Sequence, residues 1–91
     1  RSEPVLDPLT SLPPQARAAL AAGDAAAALP LGEEWLLLAL EQGDVPLQAQ
    51  ALLHLARCDR SLHRPGEARG RSELAARMFR QLGDAPGLLQ Q

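Results

Sequence analysis

The chain is predicted to be all-α, an antiparallel set of helix–turn–helix units, and three observations predict it. The first is composition: Ala, Leu and Arg are abundant, and strand-forming residues amount to two Val, one Thr, one Trp and one Phe. Ala, Leu, Arg, Gln and Glu lose little rotamer freedom in a helix, whereas β-branched and aromatic side chains suit a pleated surface. The second is apolar residues recurring three and four apart, which places them on one helical face. The third is a set of helix stop and start signals that returns after 40 residues.

Residues 1–12, with Pro4 and Pro8, read as an extended lead-in to a helical domain over 13–91. Within the lead-in, Asp7 is a candidate cap with Pro8 in a first helical position. Pro13-Pro14 opens a first helix over Gln15–Ala22, which stops at Gly23. Asp24 is placed to cap a second helix that ends at Gln42 before Gly43. Pro30 removes a backbone donor and crowds the preceding turn, so it and Gly32 predict a kink or break between Leu29 and Glu33. The run Trp35–Leu40 is apolar on all sides, which predicts burial between neighbours.

Asp44 caps the third helix, with Pro46 in its first turn, and the helix is predicted to run to about Leu62. Its stripe is Leu47, Ala51, Leu55, Cys58 and Leu62. His63-Arg64-Pro65-Gly66 ends it. A fourth helix follows over Glu67–Leu82, with Ala68, Ala75, Met78, Phe79 and Leu82 on one side, stopping at Gly83. The expected core is Trp35, Leu38, Leu52, Leu55, Ala56, Ala75, Met78 and Phe79.

Shifted by 40, Ala16-Arg17 falls on Ala56-Arg57, Ala28 on Ala68, Glu33 on Glu73, and Gln50 on Gln90. Gly43-Asp44 falls on Gly83-Asp84 and Pro46 on Pro86. Ala coincidences are cheap in an Ala-rich chain, so the weight rests on Gly-Asp-x-Pro, whose residues have stereochemical roles in ending and starting helices. The units are about 13–44 and 45–84, with a partial third over 85–91. Gly43 and Gly83 are both expected at positive φ, with Asp44 and Asp84 as caps.

Leu52-x-x-Leu55-Ala56 followed by Ala68 and Ala75 resembles the tetratricopeptide repeat, and Leu12, Ala16, Gly23 and Ala28 occupy matching places in the first unit. The resemblance covers residues 12–91. It departs at Asp59, where the family usually has an aromatic, at Ser72, where a bulky residue is usual, and in period, 40 here against about 34 in the family. Units ending like Phe79–Asp84 are similar to the long repeats of large bacterial transcriptional regulators. The resemblance implies a short α-solenoid whose concave face, lined by the first helix of each unit, takes a peptide or partner helix.

Charge is unevenly spread. Residues 1–55 hold two Arg against seven acids, net −5, and residues 56–91 hold seven Arg against four acids, net +3. Arg57, Arg60 and Arg64, spaced three and four apart, are read as one face of the third helix and as the candidate partner-binding residues. The alternative is a solvated face, internally paired. Arg69, Glu73, Arg77 and Arg80 form a second line in which Glu73 can pair with its i±4 neighbours. Nucleic acid is not the expected partner, because the chain is acidic overall, has no Lys and almost no aromatic for stacking.

Catalytic and metal chemistry find little to work with. Glu33-Glu34 point about 100° apart on a helix and cannot share a proton as a dyad does. His54 and Cys58 have a ligand-compatible spacing, but a zinc site needs three or four ligands, and only His63 and Asp59 are candidates to join them. Cys58 also lies on the apolar stripe, where a free thiol is ordinarily core. No phosphate loop, hydrolase triad or dinucleotide fingerprint occurs. No enzyme activity, cofactor or metal is therefore expected.

A lone cysteine excludes an internal disulfide, and no apolar run reaches the roughly 20 residues of a membrane span. The chain is accordingly read as cytoplasmic, and its start at Arg1-Ser2 as that of an excised or processed piece. The expected function is a non-enzymatic protein–protein interaction module that binds a protein or peptide. The alternative is an oligomerisation or structural element, self-associating, or a regulatory fragment of a larger transcriptional regulator.

Overall fold

The computed structural model describes residues 8–83, with side chains over 11–82, and all the secondary structure there is helical. Helix α1 spans Pro8–Ala21, α2 Ala25–Gln42, α3 Val45–Ser61 and α4 Pro65–Gly83. The turns between them are two or three residues long, which folds successive helices back on one another. α1 packs on α2, α2 on α3 and α3 on α4, with a lesser contact between α1 and α3.

The three turns share one construction. Gly23, Gly43 and His63 stand at φ 84°, 69° and 62°. At each, the αL residue donates to the carbonyl three back and the next residue donates to the carbonyl five back: Asp24 N to Ala19 O at 2.9 Å, Asp44 N to Ala39 O at 3.0 Å, Arg64 N to Asp59 O at 2.7 Å. This is the Schellman arrangement, which satisfies helix-end carbonyls. After the first two turns an aspartate caps the next helix, Asp24 Oδ1 accepting from Ala27 N at 3.1 Å and Asp44 Oδ1 from Leu47 N at 3.2 Å. Arg64 has no such acceptor, and Pro65 follows it as a residue with no N–H to satisfy. Gly83 is the last residue of α4, and Asp84 lies outside the described residues, as does the segment 85–91.

Three expectations need correction. Residues 8–12, read as part of an extended lead-in, belong to α1, which passes through Pro13 and Pro14. Pro8 suits a first helical turn, and burial of Leu12 and Pro13 holds the next one. Likewise α2 runs unbroken through Pro30. The carbonyl that Pro30 leaves without a donor belongs to Ala26, and both residues are exposed, so water can satisfy it. Finally, α2 is not buried on all sides: Leu37 is 60% and Leu40 52% exposed.

The core divides between two junctions. Leu12, Ala16, Trp35 and Ala51 bring α1, α2 and α3 together, with Leu31, Leu36 and Leu38 packed against them. Further burial comes from Leu52, Leu55, Ala56 and Cys58 on α3, of which Leu55 and Cys58 lie toward α2, and from Ala68 and Ala75 on α4. Trp35, Leu52, Leu55, Ala56 and Ala75 are buried as expected, whereas Leu38 and Met78 are half-buried and Phe79 is exposed. Phe79 lies one turn past Ala75 on the same side of α4, where it is 37% exposed.

Candidate interaction surface

Where α3 crosses α2, the approach is closer than a side chain on Gly32 would permit. A Cβ there would lie 2.6 Å from His54 Cδ2 and 2.9 Å from Leu55 Cδ2. Gly32 thus lets the His54 ring reach the α2 backbone, where Nε2 lies 3.2 Å from Ala28 O, and the ring stacks obliquely on Trp35 at 5.6 Å. Burial pushes the His54 pKa down, assisted by Arg17 and Arg57 and opposed by the Ala28 bond. The neutral ring donates from Nε2, leaving Nδ1 buried without a partner. Cys58 Sγ lies 3.5 Å from the same Nε2, and burial, then the neighbouring Asp59, pushes its thiol pKa up. Further along, Gln48 Nε2 donates to Ala39 O at 3.3 Å. A whole face of α2 (Ala25, Ala28, Gly32 and Ala39) is buried.

Between α3 and α4 lies a buried carboxylate. Asp59, fully buried, accepts from Arg71 Nη1 at 2.8 Å, and Arg64 Nη1 stands 4.0 Å from its other oxygen. Removing charge from water is costly, so this pair holds only because the short Arg71 bond compensates it. Asp59 was the position at which the tetratricopeptide resemblance departs, and its charge is matched here by an arginine on the facing helix. Asp59 is thus engaged by Arg71, and His63 sits exposed on the turn, apart from the His54–Cys58 contact.

The three candidate arginines do not share a helix face. α3 ends at Ser61, and the αL residue His63 turns the chain, which carries Arg64 off the helix. Arg64 pairs with Glu67 at 3.7 Å and approaches Asp59. Arg57 and Arg60 remain on α3, three apart and exposed. Arg60 reaches α4, its Nη2 donating to Ser72 Oγ at 3.2 Å. The expected pairing of Glu73 with Arg69 and Arg77 is not formed; among the described residues the ion pairs are those of Asp59 and Glu67.

Arg60 also borders a feature that sequence reasoning missed. An open groove of about 470 Å³ runs along α4, lined by Arg60, Pro65, Ala68, Arg69, Ser72, Glu73 and Ala76. Its α4 residues recur three and four apart, one helical face. Each stands 40 residues after a position on or beside the α2 face that α3 covers: Pro65 after Ala25, Ala68 after Ala28, Ser72 after Gly32. One turn beyond, exposed Phe79 follows buried Ala39 by the same interval. The signal for the groove was therefore in the sequence, in the 40-residue offset applied to helix faces instead of helix ends.

Glu33 and Glu34 lie exposed on the outer side of α2 together with Pro30, Leu37, Leu40 and Glu41. No helix among the described residues is long and apolar enough to cross a membrane. Compared with protein-family models, curated proteins and solved structures, the chain gives no match.

Proposed function

We propose that this chain is a non-enzymatic protein–protein interaction module of helical-repeat type, and that it takes a partner helix in the α4 groove. The carrying observation is the relation of the two faces: α2 presents Ala25, Ala28, Gly32 and Ala39 to a covering helix, while Pro65, Ala68 and Ser72 at the matching positions of α4 line an open groove. Helix bounds support the repeat reading, since α1 and α3 end 40 residues apart and α2 and α4 start 40 apart. So does the common turn at residues 23, 43 and 63. A non-enzymatic role is supported by where the reactive groups go. His54 and Cys58 are committed to the α2–α3 crossing and Asp59 to Arg71.

The charge on this surface assigns the partner an acidic character. Arg60 and Arg69 flank the groove and outnumber its one carboxylate, Glu73, while Arg57 adds a further cation on α3 and Arg64 is a tie between α3 and α4 through Asp59 and Glu67. Cations around an apolar strip select an amphipathic helix with acidic flanks and steer its approach. The test is affinity capture from native extract with the parent chain and with R60E/R69E as parallel baits. A protein held by the parent and lost from the folded variant, with binding reproduced by the purified pair, is the expected result. Equal capture by both baits would remove the groove from the function.

A further inference from the structure

We infer that the α4 groove of one molecule receives the outer stripe of α2 from a second copy, so that molecules join head to tail. This rests on the reading of the groove as a helix-binding site and names its occupant. The stripe is Pro30, Glu33, Glu34, Leu37, Leu40 and Glu41, within one face of α2 and exposed throughout. Leu37 and Leu40 are the most exposed large apolar residues described, at 60% and 52%. Carboxylates surround them on both sides. The groove offers the complement: small apolar residues at Pro65, Ala68 and Ala76, exposed Phe79 one turn on, and Arg60 and Arg69 at the margins. Two leucines are the right size for a strip floored by alanines, and three glutamates face the two arginines, which outnumber the one groove carboxylate, Glu73.

The charge division of the chain has the same sense, −5 up to residue 55 and +3 beyond it. A contact between the first half of one copy and the second half of another joins opposite fields, whereas like halves repel. In this head-to-tail arrangement the stripe of one copy seats in the groove of the next without being reciprocated, so the contact is heterologous. Each copy uses both surfaces, and the contact propagates instead of closing at a two-fold dimer. The groove face on α4 is then covered as its counterpart on α2 is covered by α3, with Leu37 and Leu40 standing where His54 and Leu55 stand one unit earlier.

Sedimentation of the full chain at low salt tests this. The parent should show a mass that rises with concentration past the dimer and falls as salt is raised. R60E/R69E and E34R/E41R should each weaken association by at least about tenfold while keeping the parent's helical signal and thermal midpoint. Mixing these two variants, or combining all four substitutions in one chain, should restore it, because the charges are then exchanged across the same contact. A parent that stays monomeric at low salt overturns the inference and leaves capture of a foreign helix to be judged by the bait experiment. Association that survives R60E/R69E, or a four-fold variant that does not recover, overturns it as well.

Discussion

The face of α2 that meets α3 and the side of α4 that borders the open groove are built at the same positions, 40 residues apart, yet from different residues. On α2 the crossing needs Gly32, since a Cβ would strike His54 and Leu55. On α4 the counterpart is Ser72, half-buried and bonded to Arg60. Ala39 is fully buried and Phe79 is 37% exposed. A face closed by its own chain is small and shape-fitted; one left open tolerates a hydroxyl and an aromatic and carries cations at its rim. Covering therefore sets residue choice at these positions more than helical periodicity does.

The sharpest way to break this comparison is at its largest side chains. Trp35→Ala should cost about 3–5 kcal/mol, because the indole is fully buried among Leu12, Ala16 and Ala51. Phe79→Ala should cost only about 1–2 kcal/mol, since its burial is partial. Denaturant midpoints of the two variants check the contrast, and equal losses would mean that Phe79 is covered in solution.

Next in size is the junction between α3 and α4. Arg71→Ala leaves the Asp59 carboxylate buried with only Arg64 near it, which should cost about 3 kcal/mol. Asp59→Asn in the same background should recover part of that loss, because it removes the uncompensated charge. Unchanged stability in Arg71→Ala would show that Arg64 takes over the pairing fully.

Two glycines sharpen the comparison further. Gly32→Ala gains helix propensity but forces the new methyl against the His54 ring, for a net destabilisation of about 1–2 kcal/mol. Acidification should reveal the same ring. Its folded pKa lies below the ordinary 6.5 because of burial, so as pH falls through 6.5 the unfolded chain takes a proton that the folded one refuses. Stability is held above that pH and lost below it, toward the depressed folded value. Thermal midpoints of the parent should fall over this range more steeply than those of His54→Gln. The smallest effect is a gain: Gly70 on α4 has open space around its Cβ position, so Gly70→Ala should stabilise by about 0.5–1 kcal/mol.

Much of the fold was legible because helix ends are written in few residues. Gly23, Asp24, Gly43 and Asp44 do in the structure what their stereochemistry predicts, and the four helices follow. Prolines are less legible: Pro13-Pro14 marks no helix start, because α1 already runs through the buried Leu12, and Pro30 breaks no helix, because the exposed Ala26 carbonyl is open to water. The run Trp35–Leu40 was misread because apolarity does not say which side a neighbour will occupy. Of the three candidate arginines, Arg60 lies on the groove, while Arg64 left the helix face at a turn whose αL residue is histidine, without the glycine that marks the other two. Arg71–Asp59 was invisible, because a buried ion pair across two helices has no local spacing to betray it.

The chain has a single tryptophan, and its position makes the molecule optically lopsided. Trp35 lies under the Arg17 guanidinium at 5.3 Å and beside the His54 ring, so its emission samples the meeting of α1, α2 and α3 and is blind to α4. Far-ultraviolet ellipticity, by contrast, counts all four helices equally. Divergence of the two signals during denaturation would register α4 peeling away before the indole is wetted, and coincidence would register one cooperative unit from end to end.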